Sequence, residues 1–302
     1  MMVQVVKIGV TPTADCVAPP ATSKIMKYCF GEAIPRKISS SIVNVSISML
    51  FEGRRALYST EGKKSPVVLK AGKTYSGRVT IVDSSTEFIE RVNKLGLDSF
   101  VCDSVYGVFH ISISEIEVTP LEKVDMELPK VFKVVFNTPT ILNSKLMSPP
   151  PLADKVAATH KLIPQPSFIF SHLLRFWNTY APPEHKLGKP SEWAPYLLGR
   201  MADISLVELD YRVRAVTAIV GKDDRGRLRK SRGFVGWVIY ESKANKKLHS
   251  IVSKLLALAS LVGVGRSRGI GFGHVSIEIP SKPVEERESP SENRADAVAR
   301  KL

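Results

Sequence analysis

Apolar residues along this chain alternate with polar ones or recur at helical steps, and the order of those patterns predicts its elements. Residues 3–10 are β-rich, and residues 23–33 read as a helix with Lys24, Lys27 and Phe30 at spacings of three. Residues 43–51 set Val43, Val45, Ile47, Met49 and Phe51 against Asn44, Ser46 and Ser48, as in a half-buried strand. A strand follows at 73–82, a helix at 84–95, and a strand at 106–118 with Phe109, Ile111 and Ile113 opposite His110, Ser112 and Ser114. The order then starts again. Residues 130–137 are β-rich, 167–180 carry Phe168, Phe170, Leu173, Leu174 and Trp177 in a helical pattern, and 191–201 add a shorter helix. Residues 205–219 alternate Val207, Leu209, Tyr211, Val213 and Ala215 with Glu208, Asp210, Arg212 and Arg214. A strand at 233–241, a helix at 244–262 and a strand at 272–279 complete the pass.

Each half therefore follows the split βαβ plan, two helices over one face of a four-stranded antiparallel sheet. The expected fold is α+β: two tandem ferredoxin-like domains, at 1–125 and 126–280, the second ending in a glycine-rich loop. Residues 143–166 include Ser-Pro-Pro-Pro and two further prolines, which predicts a linker or an irregular excursion. Residues 281–302 mix opposite charges with prolines and serines, and a mobile tail is expected there.

Composition narrows the partners. With 302 residues, 44% hydrophobic and 24% charged, the chain can bury sizeable cores. Its 43 Lys and Arg against 29 Asp and Glu leave +14, which favours a polyanion, nucleic acid ahead of an acidic membrane surface. Cys16, Cys29 and Cys102 lie far apart without a CxxC pair, so neither a zinc ribbon nor a disulfide framework is readable. No apolar run of about 18 residues occurs, and Lys7 and Asp15 interrupt any signal-peptide plan at the N-terminus. A cytoplasmic protein with no membrane partner is the expectation.

The stretch "LVGVGRSRGIGFG" is the sharpest motif. It lacks the Gly-Lys-Ser/Thr ending of a nucleoside-triphosphate loop. It also runs from a helix into a strand, the reverse of a dinucleotide-binding fold, so no helix dipole faces an anion. Anion binding here would come from backbone amides and from Arg266 and Arg268, which suits a polymer backbone. Gly263, Gly265, Gly269, Gly271 and Gly273 would allow such a backbone a close approach. The segment "GKDDRGRLRKSRG" predicts a basic hairpin whose Arg225, Arg227, Arg229 and Lys230 would clamp a nucleic-acid backbone.

After its amphipathic helix, "LVGVGRSRGIGFG" resembles the glycine-rich signature of the RAMP superfamily, and in particular of its CRISPR RNA-processing endoribonucleases, the sixth Cas family. "FIFSHLLRFWNTY" is similar to that family's helix in the second domain, "KSRGFVGWVIYE" to its strand before the last helix, and "PPATSKIMKY" to its archaeal branch. The resemblance spans nearly the whole chain except the tail. It implies a metal-independent and cofactor-independent cut within the CRISPR repeat of a precursor RNA, by attack of a ribose 2′-hydroxyl on the adjacent phosphate. The products would be a 2′,3′-cyclic phosphate and a 5′-hydroxyl.

The family pattern also implies a histidine near the first helix, and here the sequence departs from it. Its six histidines are His110, His160, His172, His185, His249 and His274, none in the first hundred residues. By family position Lys24, Lys27 and Lys37, with Arg36 beside them, are the expected active-site cations, and Arg232 approaches from the second domain. A lysine crowded by other cations can act as acid or base; Arg232 and Arg268 would stabilise charge and position the RNA. His110 and His274 read as hydrogen-bonding residues, and Tyr28 and Tyr106 as packing residues. Paired carboxylates for two-metal cleavage are not evident, so no metal is expected. A homodimer and a hand-off of RNA to an interference complex are further expectations. The alternative reading is a noncatalytic RAMP subunit that binds guide RNA.

Overall fold

The structure, a computed structural model, describes residues 1–31, 33–34, 44–62, 65–96, 98–188 and 191–280. Arg36, Lys37 and Val43, and the tail expected at 281–302, lie outside the described residues. The first half runs β1 (Met2–Pro12), β2 (Cys16–Val17), α1 (Ser23–Cys29), β3 (Val45–Ile47), β4 (Leu50–Glu52), β5 (Arg55–Leu57), β6 (Val68–Leu69), β7 (Tyr75–Asp83), α2 (Glu87–Leu95), β8 (Ser99–Ser104) and β9 (Gly107–Pro120). The second runs β10 (Val131–Thr140), β11 (Leu142–Asn143), β12 (His160–Lys161), α3 (Pro166–Tyr180), α4 (Ala194–Ser205), β13 (Leu206–Lys222), β14 (Leu228–Ser242), α5 (Lys246–Val262) and β15 (Val275–Glu278).

The sheet of the second half has the order β13-β14-β10-β15, all antiparallel. That is the second-third-first-fourth strand order of a split βαβ fold, with α3 and α5 as its helices and α4 added before β13. The first half keeps the same kernel, β1 between β7 and β9, with β3 and β4 both paired to β7. Its sheet has seven strands among the described residues rather than four, because the strand expected at 43–51 is split into β3 and β4, β5 extends one edge and β8 the other.

Strand β1 explains its own near-continuous apolar run. Val6, Ile8 and Val10 pack in the core under α1 and α2, while Val3 and Val5 join the core of the second half, so both faces of β1 are covered. A third apolar cluster of Ala21, Met49, Phe51, Ile141, Ala218, Val220 and Phe272 seals the junction of the halves. Backbone bonds cross the same junction: Ile219 N–H donates to Ser59 at 2.9 Å and Glu61 N–H to Thr217 at 2.9 Å.

Three local expectations are corrected. Helix α1 stops at Cys29 rather than 33, since Phe30 turns inward, fully buried and edge-on to Phe100 at 5.5 Å. The single strand expected at 43–51 breaks at Ser48. Val45, Ile47 and Leu50 face the first core, whereas Met49 and Phe51 turn into the junction cluster, a change of parity that ordinary alternation cannot make. Finally, Cys29 and Cys102 form a disulfide, Cα to Cα 5.6 Å, because the end of α1 lies over β8. Their separation of 73 residues gave no local sign of the pairing.

Candidate nucleic-acid interface

Helix α1 has only seven residues, too few to hold itself, and tertiary bonds fix its start. Thr22 Oγ1 donates to Leu57 O at 2.6 Å and accepts from Leu50 N–H at 2.9 Å. Ser23 Oγ donates to Ile270 O at 2.7 Å, and Ser48 forms a parallel bridge with Gly271. The glycine-rich loop of the second domain is thus docked on the first turn of α1. Gly77 lets Met26 settle on β7, where a Cβ would overlap the Met26 sulfur.

That docking carries Lys24 across the junction. It is half-buried, and its Nζ fills the space that a Cβ at Gly221 would need. Gly221 pairs with Arg229, so Lys24 reaches the β13–β14 hairpin beside its turn, at the backbone pair that includes Arg229. Lys27 is exposed on the next turn, and Tyr28, expected to pack, is 51% exposed.

Arg232 is placed differently. It pairs with Thr217 and shares a ribbon face with Lys230, while Arg229 and Ser231 share the opposite face with the buried Ala218. Lys230 Nζ is engaged by Glu61 at 2.6 Å, and Arg227 Nε by Asp223 at 2.9 Å. Arg225, at the hairpin tip, is exposed. The structure therefore brings Lys24 to the Gly221–Arg229 pair and leaves Arg232 on the reverse face. Spacing alone hid this, because Gly221 becomes the contact point only once the halves dock.

The glycine-rich loop is built inward. Gly263, Gly265, Gly271 and Gly273 are buried, Gly269 is half-buried, and only Arg266 and Ser267 are well exposed. A Cβ on Gly265 would overlap Ile141 O, and one on Gly273 would overlap Val264 O. Gly263, Gly265 and Gly273, expected to touch RNA, instead let the loop pack against protein backbone, and Gly271 makes room for the Met49 side chain. Arg268 is corrected as well: 4% exposed, it stacks on Phe176 at 4.6 Å and its Nη1 donates to Val262 O at 3.3 Å. Burial lowers its pKa to about 10, and it supports the loop from beneath.

The described histidines form no cluster at α1. His110 is exposed, and His249 is hydrogen-bonded between Ser242 Oγ and Leu128 O, each at 2.9 Å. His172, half-buried on α3, has its pKa lowered to about 3 by burial, Arg268 and Arg175. His274 lines a cavity of about 500 Å³ with Lys7, Phe51, Arg54, Arg78 and Asn137. Its Nδ1 is 3.4 Å from Asn137 Nδ2, and burial, then Arg78, lowers its pKa to about 3. Arg78, half-buried on β7, went unnoticed in the sequence; its signal was a lone cation in the apolar run "GRVTIV". Among the described residues no group of His, Cys, Asp and Glu could hold a metal ion, and no helix is long and apolar enough to cross a membrane.

Two family models match, the Cas6 N-terminal domain over residues 5–119 and the CRISPR-associated endoribonuclease Cas6 over residues 134–275. The chain belongs to the Cas6 family. Relatives include CRISPR-associated endoribonuclease Cas6 1 of Saccharolobus solfataricus, 32% identical over 90% of this chain and 96% of the relative. Cas6 2 of the same organism is 30% identical over 93% of this chain and 98% of the relative. Among solved structures, a Cas6 product complex superposes with a TM-score of 0.62 at 15% identity, covering 92% of this chain and 99% of the other. A Thermus thermophilus Cas6 superposes at 0.59 and 15% identity, covering 92% and 98%. These likenesses bear out the α+β class with tandem ferredoxin-like domains.

Proposed function

We propose that this Cas6 protein cleaves precursor CRISPR RNA within its repeats, without a metal ion, at the junction where Lys24 meets the β13–β14 hairpin. The ribose 2′-oxygen forms a bond to the adjacent phosphorus as the bond from phosphorus to the 5′-oxygen breaks. The 2′-hydroxyl proton leaves to a base and the 5′-oxygen gains one from an acid. The products are a 2′,3′-cyclic phosphate and a 5′-hydroxyl.

The observation that carries this reading is Lys24 Nζ seated against Gly221, beside Arg229. It gathers cations from both domains, and neither Lys24 nor Lys27 has an ion-pair partner among the described residues. Lys24, Lys27 and Lys37 are assigned to proton transfer. Arg229 stabilises the crowded phosphorane, and Arg232 and Arg266 hold flanking phosphates. Arg225, Arg227 and Lys230 extend the backbone contact along the hairpin. The protein acts in the cytoplasm, as a homodimer, and passes its product to an interference complex.

One observation favours a second reading, a noncatalytic subunit that binds guide RNA: no histidine occurs in the first hundred residues. Single-turnover cleavage of repeat RNA at saturating protein separates the two. Under the first reading, Lys24→Ala and Lys27→Ala each slow cleavage by about 10²-fold or more, with affinity changed far less. Wild-type rates in both variants would remove these lysines from the chemistry.

A further inference from the structure

We propose that the Cys29–Cys102 disulfide is a positioning element for cleavage, setting the last turn of α1 and with it Lys27. The inference rests on the assignment of Lys27 to the reaction.

The two ends of α1 are held by different means. Its start is bonded to Leu50, Leu57 and Ile270 through Thr22 and Ser23. Its end is held by the disulfide at Cys29 and by the packing of Phe30 on Phe100. Both of these anchors reach β8, which among the described residues is an edge strand paired only with β9. A seven-residue helix has little stability of its own, so its last turn keeps its place only while that end is tied. Lys27 stands in this last turn, two residues before Cys29, whereas Lys24 stays under the control of the first-turn bonds.

The bond is open to chemistry from one side. Cys102 is 7% exposed and Cys29 is half-buried. Cys16, the free cysteine, is held as a thiol, since burial and the Asp15 carboxylate push its pKa up. It does not compete for either partner. An external dithiol supplies what the reaction needs. One of its thiolates attacks Cys29 Sγ and the bond to Cys102 Sγ breaks; the second thiolate then closes on the first sulfur as the mixed-disulfide bond to Cys29 Sγ breaks and Cys29 leaves as a thiolate. Two electrons and two protons pass to the protein, leaving two cysteine thiols and an oxidised, cyclic dithiol.

Reduction therefore removes one of the two anchors at the end of α1, leaving Phe30 packed on Phe100, and loosens the last turn without touching the hairpin or the exposed Arg266. Cleavage slows while RNA stays bound, because small displacements of a reacting group cost rate long before they cost affinity.

The test begins with thiol counting under denaturing conditions: one reactive thiol in the oxidised protein and three after dithiothreitol, of the three cysteines in the chain. Single-turnover cleavage and repeat-RNA affinity are then measured on the oxidised, reduced and reoxidised protein. The expected result is a rate lowered by about tenfold or more on reduction and restored on reoxidation, with Kd changed less than about twofold. The double variant Cys29→Ser with Cys102→Ser behaves like reduced protein and ignores dithiothreitol, and Cys16→Ser keeps the full response. Circular dichroism of reduced protein covers the case in which the double variant does not fold. The proposal is overturned by three free thiols before reduction, by equal rates in both redox states, or by loss of the folded spectrum and of RNA affinity along with rate. Lys27→Ala, run beside these, identifies which idea failed. A wild-type rate there removes Lys27 from the reaction, whereas a slow Lys27→Ala variant beside a wild-type protein that shows no redox response overturns only the positioning role.

Discussion

At Gly273 the backbone takes φ +70° and passes so close to Val264 that a Cβ has no room. Gly273→Ala accordingly destabilises the protein, by about 2 kcal/mol or more. Denaturant unfolding reads this as a lower midpoint. Arg266→Ala, two residues from Arg268 in sequence but on the surface, leaves that midpoint unchanged and weakens repeat-RNA binding. The contrast separates the two things the loop does. Its glycines and Arg268 build the joint with α1, and Arg266 faces outward from it. A midpoint unmoved in Gly273→Ala would contradict the close approach seen here.

Among the elements, the β13–β14 hairpin carries the largest concentration of cations, and its charges are not equivalent. Arg225 and Arg229 have no ion-pair partner among the described residues, while Arg227 and Lys230 are engaged by Asp223 and Glu61. Exposed ion pairs hold weakly, so RNA can recruit the second pair at small cost. Replacing Arg225 and Arg229 by alanine lowers the slope of log affinity against log salt by about 0.7 for each lost contact to single-stranded RNA. A slope equal to that of the wild type places the RNA elsewhere. The strands and long helices were legible because their periodicities run through to the core: β1, β7, β9, β10, β14, α3 and α5 lie where alternation or helical spacing put them. What escaped has a common cause. The turn of parity at Ser48, the Cys29–Cys102 pair and the Lys24–Gly221 contact are set by how distant segments dock, and a linear pattern does not encode docking. The glycine motif misled for a similar reason, since permission for close approach does not say what approaches.

Over the whole molecule, the junction ties both domains into one unit, and its acid sensitivity follows from buried imidazoles. His172 and His274 are lowered to about 3, against about 6.5 in an unfolded chain. Both are neutral when folded at neutral pH. Between about pH 6.5 and 3 the unfolded chain binds more protons than the folded one, so this stability is fully present above about 6.5 and is lost as pH falls. Tm declines through that window, and His274→Asn makes the decline shallower; the same slope in both proteins would remove His274 from the linkage. The central claim, however, concerns what this unit does to RNA. It is tested most directly by incubating the purified protein with its repeat RNA in EDTA and mapping the ends of any product. The account predicts one site-specific cut leaving a 2′,3′-cyclic phosphate and a 5′-hydroxyl; activity that vanishes in EDTA and returns with a divalent ion, or tight binding with no cut, would contradict it.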